Sequence, residues 1–141
     1  MINLNKTTRG FTLIEVMVVV VILSILAVLV VPKIMSKPEQ ARKTQAMISI
    51  NSLESALRYY HLDNSQYPST DQGLEALVRK PSGTPEPKNW NKDGYMDRIP
   101  KDPWGNPYRY LSPGTHGKID ISSWGPDGTA SDDDIGNWNR K

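Results

Sequence analysis

The sequence predicts an α+β protein in which a long N-terminal helix packs on a small antiparallel sheet. Three observations lead to this prediction: an apolar run over residues 11–31, an amphipathic segment over residues 39–62, and two short strand candidates further on. With 141 residues, the chain has room for one small domain beyond the apolar run. Its many Pro, Gly, Asn and Asp residues indicate that this domain is rich in loops.

Composition excludes several classes of function. The formal net charge of +2 gives no argument for binding nucleic acid. The chain contains no cysteine, which excludes thiol catalysis, thiolate metal sites and disulfide bonds. A small domain without disulfides outside the cytoplasm needs another source of stability, such as a long helix, a partner subunit or a metal ion.

The apolar run over residues 11–31 has Glu15 as its one strongly polar member. As a helix, about 21 residues reach roughly 30 Å, which is the thickness of the hydrocarbon core of a membrane. Lys6 and Arg9 precede the run and predict that the leader lies on the cytoplasmic side, with the soluble part across the membrane. No secretory cleavage site follows the run, so an uncleaved single-span anchor is one interpretation.

The junction Gly10-Phe11-Thr12-Leu13-Ile14-Glu15 resembles the leader junction of type IV pilin-like proteins. The resemblance implies that a dedicated membrane peptidase cuts after Gly10 and that the new N-terminal residue, Phe11, is methylated. Residues 1–10 are then a basic leader that is removed, and residues 11–31 remain as the transmembrane and assembly helix.

Glu15 is costly in hydrocarbon as an unpaired charge, so it is a candidate functional residue. Cleavage creates an α-amine at Phe11, about one helical turn away. In an assembly of staggered subunits, Glu15 of one chain can neutralise the amine of its neighbour and set the register between them. The alternative interpretation places Glu15 among the lipid headgroups, where water solvates it.

Residues 32–62 are predicted to continue the helix in amphipathic form, with a bend near Pro32 and Pro38. A coiled-coil stalk is the weaker alternative, because the apolar period is sustained for too few heptads. One face of this segment is predicted to pack on the globular part, since its apolar residues recur at steps of three and four: Met47, Ile50, Leu53, Leu57 and Tyr60.

Residues 63–141 form the predicted head. Residues 63–68 stop the helix, and residues 69–78 are predicted to form a short helix with Ser69 or Thr70 as its N-cap. Residues 80–103 are predicted to form an ordered loop. Large apolar side chains in and directly after this segment can anchor it to the core, whereas a disordered linker has few of them: Trp90, Tyr95, Ile99 and Trp104. Strands are predicted at 107–111 and 118–124, joined as an antiparallel hairpin.

The segment over residues 125–136 is the strongest candidate for a binding site. It holds four carboxylates within eight residues, interleaved with Gly, Ser and Thr, and such a loop can surround a hard cation. Calcium suits it better than magnesium, which demands tight octahedral geometry; the alternative is a solvated acidic turn. The spacing is not that of an EF-hand. The predicted ligands are the side chains of Asp127, Asp133 and Asp134 and the backbone of Trp124 and Thr129, with Asp132 as a weaker candidate.

Catalytic motifs are not evident in the sequence. His61 and His116 have no nucleophile or acid at a recognisable catalytic spacing, and both are interpreted as surface histidines.

An ordered series of motifs narrows the resemblance to the major pseudopilins of the type II secretion system. The series covers nearly the whole chain, whereas the leader junction is shared by many pilin-like proteins. It comprises Leu53-Glu54-Ser55-Ala56-Leu57, Leu62-Asp63-Asn64, Tyr67-Pro68, Gln72-Gly73-Leu74-Glu75-Ala76-Leu77, Asp102-Pro103-Trp104-Gly105, Gly125-Pro126-Asp127-Gly128 and Asp133-Asp134-Ile135-Gly136-Asn137-Trp138.

This resemblance implies a structural subunit, not an enzyme, with calcium in the acidic loop. It implies a single-pass protein of the bacterial inner membrane whose head lies in the periplasm. Its implied partners are further copies of itself, minor pseudopilins, the prepilin peptidase, the lipid bilayer, and an inner-membrane assembly platform with a cytoplasmic ATPase. The resulting filament pushes folded proteins through the outer membrane.

Two other functions are weighed against this one. A type IV pilin usually carries two cysteines that close a C-terminal loop, and this chain has none. A membrane-anchored enzyme or periplasmic binding protein requires a convergent polar site in its soluble part, and the acidic loop is the one candidate in the sequence.

Overall fold

The computed structural model describes residues 10–139, without the side chains of residues 29–36. Nearly all of the predicted leader therefore lies outside the described residues. The chain divides into two compact units, residues 1–39 and 40–141. Its elements in chain order are helix α1 (Leu13–Asn64), a 3-10 helix (Leu74–Leu77), strands β1 (Arg109–Leu111) and β2 (Asp120–Ser123), a 3-10 turn (Gly125–Asp127) and strand β3 (Ile135–Gly136).

Helix α1 begins immediately after Thr12, which caps it. The backbone N–H of Glu15 donates to the Thr12 carbonyl at 3.1 Å and to its hydroxyl at 3.4 Å, so one of the unpaired amides of the first turn is satisfied. Glu15 lies in that first turn, where the helix dipole favours a negative charge. The peptide between Gly10 and Phe11 therefore precedes the helix, in irregular backbone.

The apolar side chains at the start of α1 face outward throughout residues 11–28. Within the part of the chain that the structure describes, no helix combines the length and the apolar character needed to cross a membrane. The end of the predicted span, residues 29–31, lies outside the described side chains, so the span stays a prediction. Helix α1 continues without interruption past Pro32 and Pro38, and the bend at these residues also stays a prediction.

The amphipathic face predicted for the second part of α1 is confirmed, and it forms one wall of the core. Its residues Ile50, Leu53, Leu57 and Tyr60 are fully buried, and Met47 packs partly buried against them. Burial of one such side chain contributes about 1.5–3 kcal/mol. The same core cluster includes apolar residues from the 3-10 helix, from the strands and from positions directly before β1 and β2: Leu74, Leu77, Tyr108, Tyr110, Ile119, Ile121 and Ile135.

The short helix predicted over residues 69–78 is confirmed only over Leu74–Leu77, as a 3-10 helix, and its N-cap is Gly73 rather than Ser69 or Thr70. Ser69 begins a turn as a cap does: its hydroxyl accepts the Gln72 N–H at 3.2 Å, and the Gln72 side chain accepts the Ser69 N–H at 3.0 Å. Gly73 then adopts a φ of 63°, in the left-handed region, which a right-handed helix cannot continue through. Only the 3-10 helix of Leu74–Leu77 follows.

The predicted hairpin is confirmed, with β1 and β2 antiparallel and Tyr110 opposite Ile121. A third strand, β3, was not predicted; it pairs antiparallel with β2 and places Ile135 opposite Ser123. The sheet order is therefore β1-β2-β3. Because β3 follows the acidic segment, its pairing brings the chain back to the end of β2 and closes the acidic segment into a loop.

The region from residue 80 to residue 100 is an ordered loop, as predicted. The Trp90 indole donates to the Ala76 carbonyl at 2.9 Å, and the backbone N–H of Tyr95 donates to the Leu77 carbonyl at 2.7 Å. Trp90, Tyr95, Ile99 and Trp104 all pack against the core. These contacts fasten the loop beside the 3-10 helix.

Candidate functional site

The acidic loop leaves the sheet at the end of β2 and returns to it at β3. Its first residues, Gly125–Asp127, form a 3-10 turn, and its last residue before the sheet is Asp134. Ser123 and Ile135, which lie just outside its two ends, face each other across the β2–β3 ladder. The loop is therefore fixed at its base, and its carboxylates are held within one short, closed segment.

Asp127 is the first carboxylate of the loop and accepts several hydrogen bonds. It accepts the backbone N–H of Thr129 at 3.1 Å and the Thr129 hydroxyl at 3.1 Å. The backbone N–H of Thr129 is the largest cause that holds the pKa of Asp127 below its ordinary value, although the residue is exposed. Asp127 is therefore ionised at neutral pH and available as an anionic ligand.

The Ser131 hydroxyl lies at the point where the oxygen atoms of the loop converge. It is 3.4 Å from Asp127 Oδ2, 3.5 Å from the Thr129 carbonyl oxygen, and in close contact with Asp133 Oδ1. A hydroxyl has one proton to donate, so it cannot satisfy three acceptors at once. Two carboxylates and a carbonyl are thus gathered around a group that supplies too few donors.

Asp134 and Asp132 differ from these two carboxylates. Asp134 turns back on its own loop, because its Oδ1 accepts the backbone N–H of Ser131 at 3.2 Å. Asp132 is exposed. Among residues 10–139, no group of three or more His, Cys, Asp or Glu side chains is arranged to hold a metal ion. The complete set of predicted ligands therefore stays a prediction.

Two asparagines that sequence reasoning missed fasten the exit of the loop. The side-chain amide of Asn137 bonds the backbone of β2 and of the residue before it: its Oδ1 accepts the Ile121 N–H at 3.0 Å, and its Nδ2 donates to the Ile119 carbonyl at 3.1 Å. Asn139 accepts the Gly136 N–H at 2.8 Å and donates to the Asp134 carbonyl at 2.8 Å. The sequence signal available for them was the alternate spacing of two asparagines directly after the acidic segment.

The two tryptophans that bracket the loop are both held by the head. The guanidinium of Arg109 lies 3.7 Å from the centre of the Trp124 ring, a cation–π contact. Trp138 stacks on the His116 ring, with centroids 4.0 Å apart and planes 8° from parallel. Specific side-chain contacts therefore hold both ends of the loop.

His116 is exposed, as the interpretation of a surface histidine expects, and it also has specific partners in the turn between β1 and β2. Its Nδ1 lies 2.9 Å from Oδ2 of the buried Asp120, and the Thr115 hydroxyl lies 3.2 Å from the same nitrogen. A catalytic triad needs the nucleophile and the acid on different ring nitrogens, so this cluster is not a proton relay. It fixes the turn between β1 and β2, because Asp120 also accepts the Thr115 hydroxyl and both local N–H groups.

The second predicted site is the junction ahead of α1. Phe11 is 83% exposed, and Gly10 and Glu15 are also exposed. Among the described residues, no atom lies within 4 Å of a side chain placed at Gly10, so none of them blocks approach to the Gly10–Phe11 bond. Glu15 is separated from that bond by the capping residue Thr12 and the start of the first helical turn.

A long N-terminal helix, a small three-stranded antiparallel sheet and a cleavage-type junction define a pilin-like protein. Comparisons with known proteins agree. The prokaryotic N-terminal methylation motif matches residues 5–31, and the family described as type II secretion system protein G matches residues 33–138. The chain therefore belongs to the family of type II secretion system protein G.

Individual relatives support this assignment. The chain is 62% identical to the type II secretion system core protein G of Pseudomonas aeruginosa, with 95% of this chain and 97% of that protein covered. It is 60% identical to the corresponding protein of Aeromonas hydrophila, with 97% and 96% covered. A crystal structure of the major pseudopilin from the type 2 secretion system of enterohaemorrhagic Escherichia coli superposes with a TM-score of 0.73 at 50% identity, covering 79% and 98%. The predicted fold class and family resemblance are thus confirmed.

Proposed function

We propose that this chain is the major pseudopilin of a type II secretion system, the structural subunit that polymerises into the periplasmic pseudopilus. The observation that carries the proposal is the family match over residues 33–138, directly following the methylation motif over residues 5–31. Growth of the filament from the inner membrane pushes folded proteins through the outer membrane.

Maturation begins with the prepilin peptidase, which cuts between Gly10 and Phe11 and leaves Phe11 to be N-methylated. The position of this bond in irregular, exposed backbone ahead of the capped helix supports the proposal, because a peptidase needs an extended segment in its active site. Cleavage leaves α1 intact and gives the mature chain a positive N-terminus beside Glu15.

Polymerisation then covers the exposed apolar side chains of residues 11–28. Removing apolar surface from water contributes about 25 cal/mol per Å², so a helix that exposes them all is poised to pack against copies of itself or against lipid. In the polymer, the Glu15 carboxylate of one subunit neutralises the Phe11 amine of its neighbour. The pair fixes how far the two helices are shifted along the filament.

The remaining partners follow from this role. Before assembly the chain is held in the inner membrane by residues 11–31, with its head in the periplasm and its leader in the cytoplasm. An inner-membrane platform, driven by a cytoplasmic ATPase, adds subunits to the filament, and minor pseudopilins join it. The chain itself supplies contacts and rigidity, and its role is structural.

Calcium is the proposed ligand of the acidic loop, and the donor set fits it. All the groups that converge on the Ser131 hydroxyl are oxygens, two of them from the carboxylates of Asp127 and Asp133. Hard cations of the calcium type prefer carboxylate and carbonyl oxygens. We assign Asp127, Asp133 and Asp134 as side-chain ligands, the Trp124 and Thr129 carbonyls as backbone ligands, and Asp132 as a secondary candidate. When bound, the ion neutralises these charges and stabilises the head.

The proposal is tested by deleting the gene for this chain in its own bacterium. Folded secretion substrates should accumulate in the periplasm, surface pili should remain, and expression of the intact chain should restore export. Both are measured in parallel, by immunoblotting of medium and periplasm and by electron microscopy of the cell surface. Continued export together with loss of surface pili would identify the chain as a type IV pilin instead.

A further inference from the structure

A buried carboxylate outside the acidic loop is connected to its entrance. Asp102 is only 4% exposed and lies in the turn that precedes β1. Its Oδ1 accepts the backbone N–H groups of Trp104 at 3.1 Å and Asn106 at 2.7 Å, and its Oδ2 lies 2.6 Å from the hydroxyl of Ser123. A buried carboxylate needs such donors, and here one of them comes from the last residue of β2.

The proton order along this chain of hydrogen bonds is fixed. The Ser123 hydroxyl donates its single proton to Asp102 Oδ2. The hydroxyl oxygen is then free to accept, and the N–H of Gly125 donates to it at 3.1 Å. Ser123 is completely buried and Gly125 is buried, so water cannot take the place of either partner.

This hydrogen bond orients the peptide group that joins Trp124 to Gly125. The peptide is trans, so its N–H and its C=O point in opposite directions. Because the N–H of Gly125 is held inward on Ser123, the Trp124 carbonyl must point away from Ser123. Gly125 has a φ of 71°, a left-handed conformation that suits glycine and completes the tight turn at this point.

We propose that Asp102 and Ser123 are positioning residues for the metal loop, and that they aim the Trp124 carbonyl outward as a calcium ligand. The inference rests on the proposed calcium site, in which that carbonyl is a backbone ligand. Groups that orient metal ligands typically account for a 10- to 100-fold difference in affinity. A carbonyl aimed in advance needs no ordering when the ion binds, and this is the source of the gain in affinity.

The test compares Ser123→Ala with Ser122→Ala in the full chain, purified in detergent. Ser122 is the preceding residue of β2 and is also buried, so it controls for loss of a hydroxyl from the same strand. Calcium affinity is measured by isothermal titration calorimetry at a temperature where circular dichroism shows every variant folded. We expect Ser123→Ala to bind calcium about 10- to 100-fold more weakly than the wild type, and Ser122→Ala to bind nearly normally.

A second variant covers the case in which Ser123→Ala does not fold. Ser123→Cys nearly preserves the buried volume but supplies only a weak donor and acceptor, so it should also lower the calcium affinity. If Ser123 has a purely structural role, its variants will lower the melting temperature of the calcium-free chain and leave the dissociation constant for calcium unchanged. That result would overturn the positioning role of Asp102 and Ser123 but not the proposed calcium site. If the wild-type chain binds no calcium, the metal site itself is wrong and the positioning role falls with it.

Discussion

The carboxylates of the head differ in how the fold surrounds them. Asp120 is buried with hydrogen-bond donors from Thr115 and His116, whereas Asp127 and Asp133 share one hydroxyl on the exposed loop. Burial alone would raise the pKa of Asp120, but the side-chain and backbone donors of Thr115 and His116 outweigh it and lower the pKa. The buried carboxylate is therefore tested through the pH dependence of stability, and the exposed loop carboxylates through the effect of calcium.

We predict that Asp120→Asn destabilises the head at neutral pH by about 1–3 kcal/mol, since buried donors lose an acceptor. The folded pKa of Asp120 is below the ordinary value of about 3.9, so its contribution is present above that pH and disappears as the pH falls through the folded pKa. Urea unfolding, followed by tryptophan fluorescence, should show the gap between wild type and variant closing below about pH 4.

The matched control is Asp97→Asn, which removes an exposed carboxylate of the same head. Its stability should follow that of the wild type within about 0.5 kcal/mol across the same pH range. A gap for Asp120→Asn that persists unchanged at low pH would show that the ionised carboxylate is not what stabilises the turn.

For Asp127 we predict a loss of stabilisation by calcium. Saturating calcium at 100 times its dissociation constant should stabilise the wild-type chain by about 2.7 kcal/mol, and chelator should remove this gain. Asp127→Asn should melt at the same temperature with and without chelator in differential scanning calorimetry. Asp71→Asn, an exposed aspartate outside the loop, should keep the full shift. No shift in the wild type would leave the loop as a solvated acidic turn.

At the scale of elements, α1 presents very different faces within a few residues. Leu57 is completely buried in the core cluster, whereas Leu62, little more than one turn further on, is 74% exposed. Strand β3 is only two residues long, yet it determines where the acidic loop ends. Helix packing therefore supplies the stability of the head, and the short strand supplies the geometry of its site.

We predict that Leu57→Ala lowers the free energy of unfolding of the head by about 2–5 kcal/mol, because it leaves a cavity in a fully packed core. Leu62→Ala makes the same chemical change at an exposed position and should cost no more than about 0.5 kcal/mol. Chemical denaturation in urea measures both. Equal losses for the two variants would mean that the predicted amphipathic face does not form the core in solution.

At the scale of the whole molecule, the chain has two compact units with different surfaces. The unit of residues 1–39 exposes apolar side chains over its described helix, and the unit of residues 40–141 has a conventional buried core. A surface of the first kind is unusual for a protein that remains a monomer in water. It fits a subunit that moves from a membrane into a polymer.

Our prediction at this scale concerns assembly. Glu15→Gln removes the charge that we propose pairs with the Phe11 amine of a neighbouring subunit, so filaments should be lost while the leader is still removed. Filaments are scored by electron microscopy of cells that overproduce the chain, and mass spectrometry should find the mature chain starting at Phe11 with one methyl group. Glu75→Gln, which breaks an exposed pair with Arg79 in the head, should still assemble. Normal filaments from Glu15→Gln would overturn the role of the charge.

Local sequence determined much of this protein. The three-and-four spacing of Ile50, Leu53 and Leu57 determined which face of α1 is buried, because helical geometry places such residues on one side. Pro113-Gly114 and His116-Gly117, which lie between the two predicted strands, determined where the hairpin turns. The helix predicted over residues 69–78 is shorter than expected for a local reason as well, since the left-handed backbone of Gly73 confines it to Leu74–Leu77.

Tertiary structure alone decided the contacts that build the site. Asp102 bonds Ser123, which is 21 positions away in the sequence. Strand β3 has only two residues, and so short a strand has no hydrophobic pattern that could specify its register with β2. The partnership of His116 with Asp120 and Trp138 likewise depends on where the turn and the loop end come together in space. Periodicity and turn chemistry act between near neighbours, so they specify elements; the loop acquires its shape only when those elements pack.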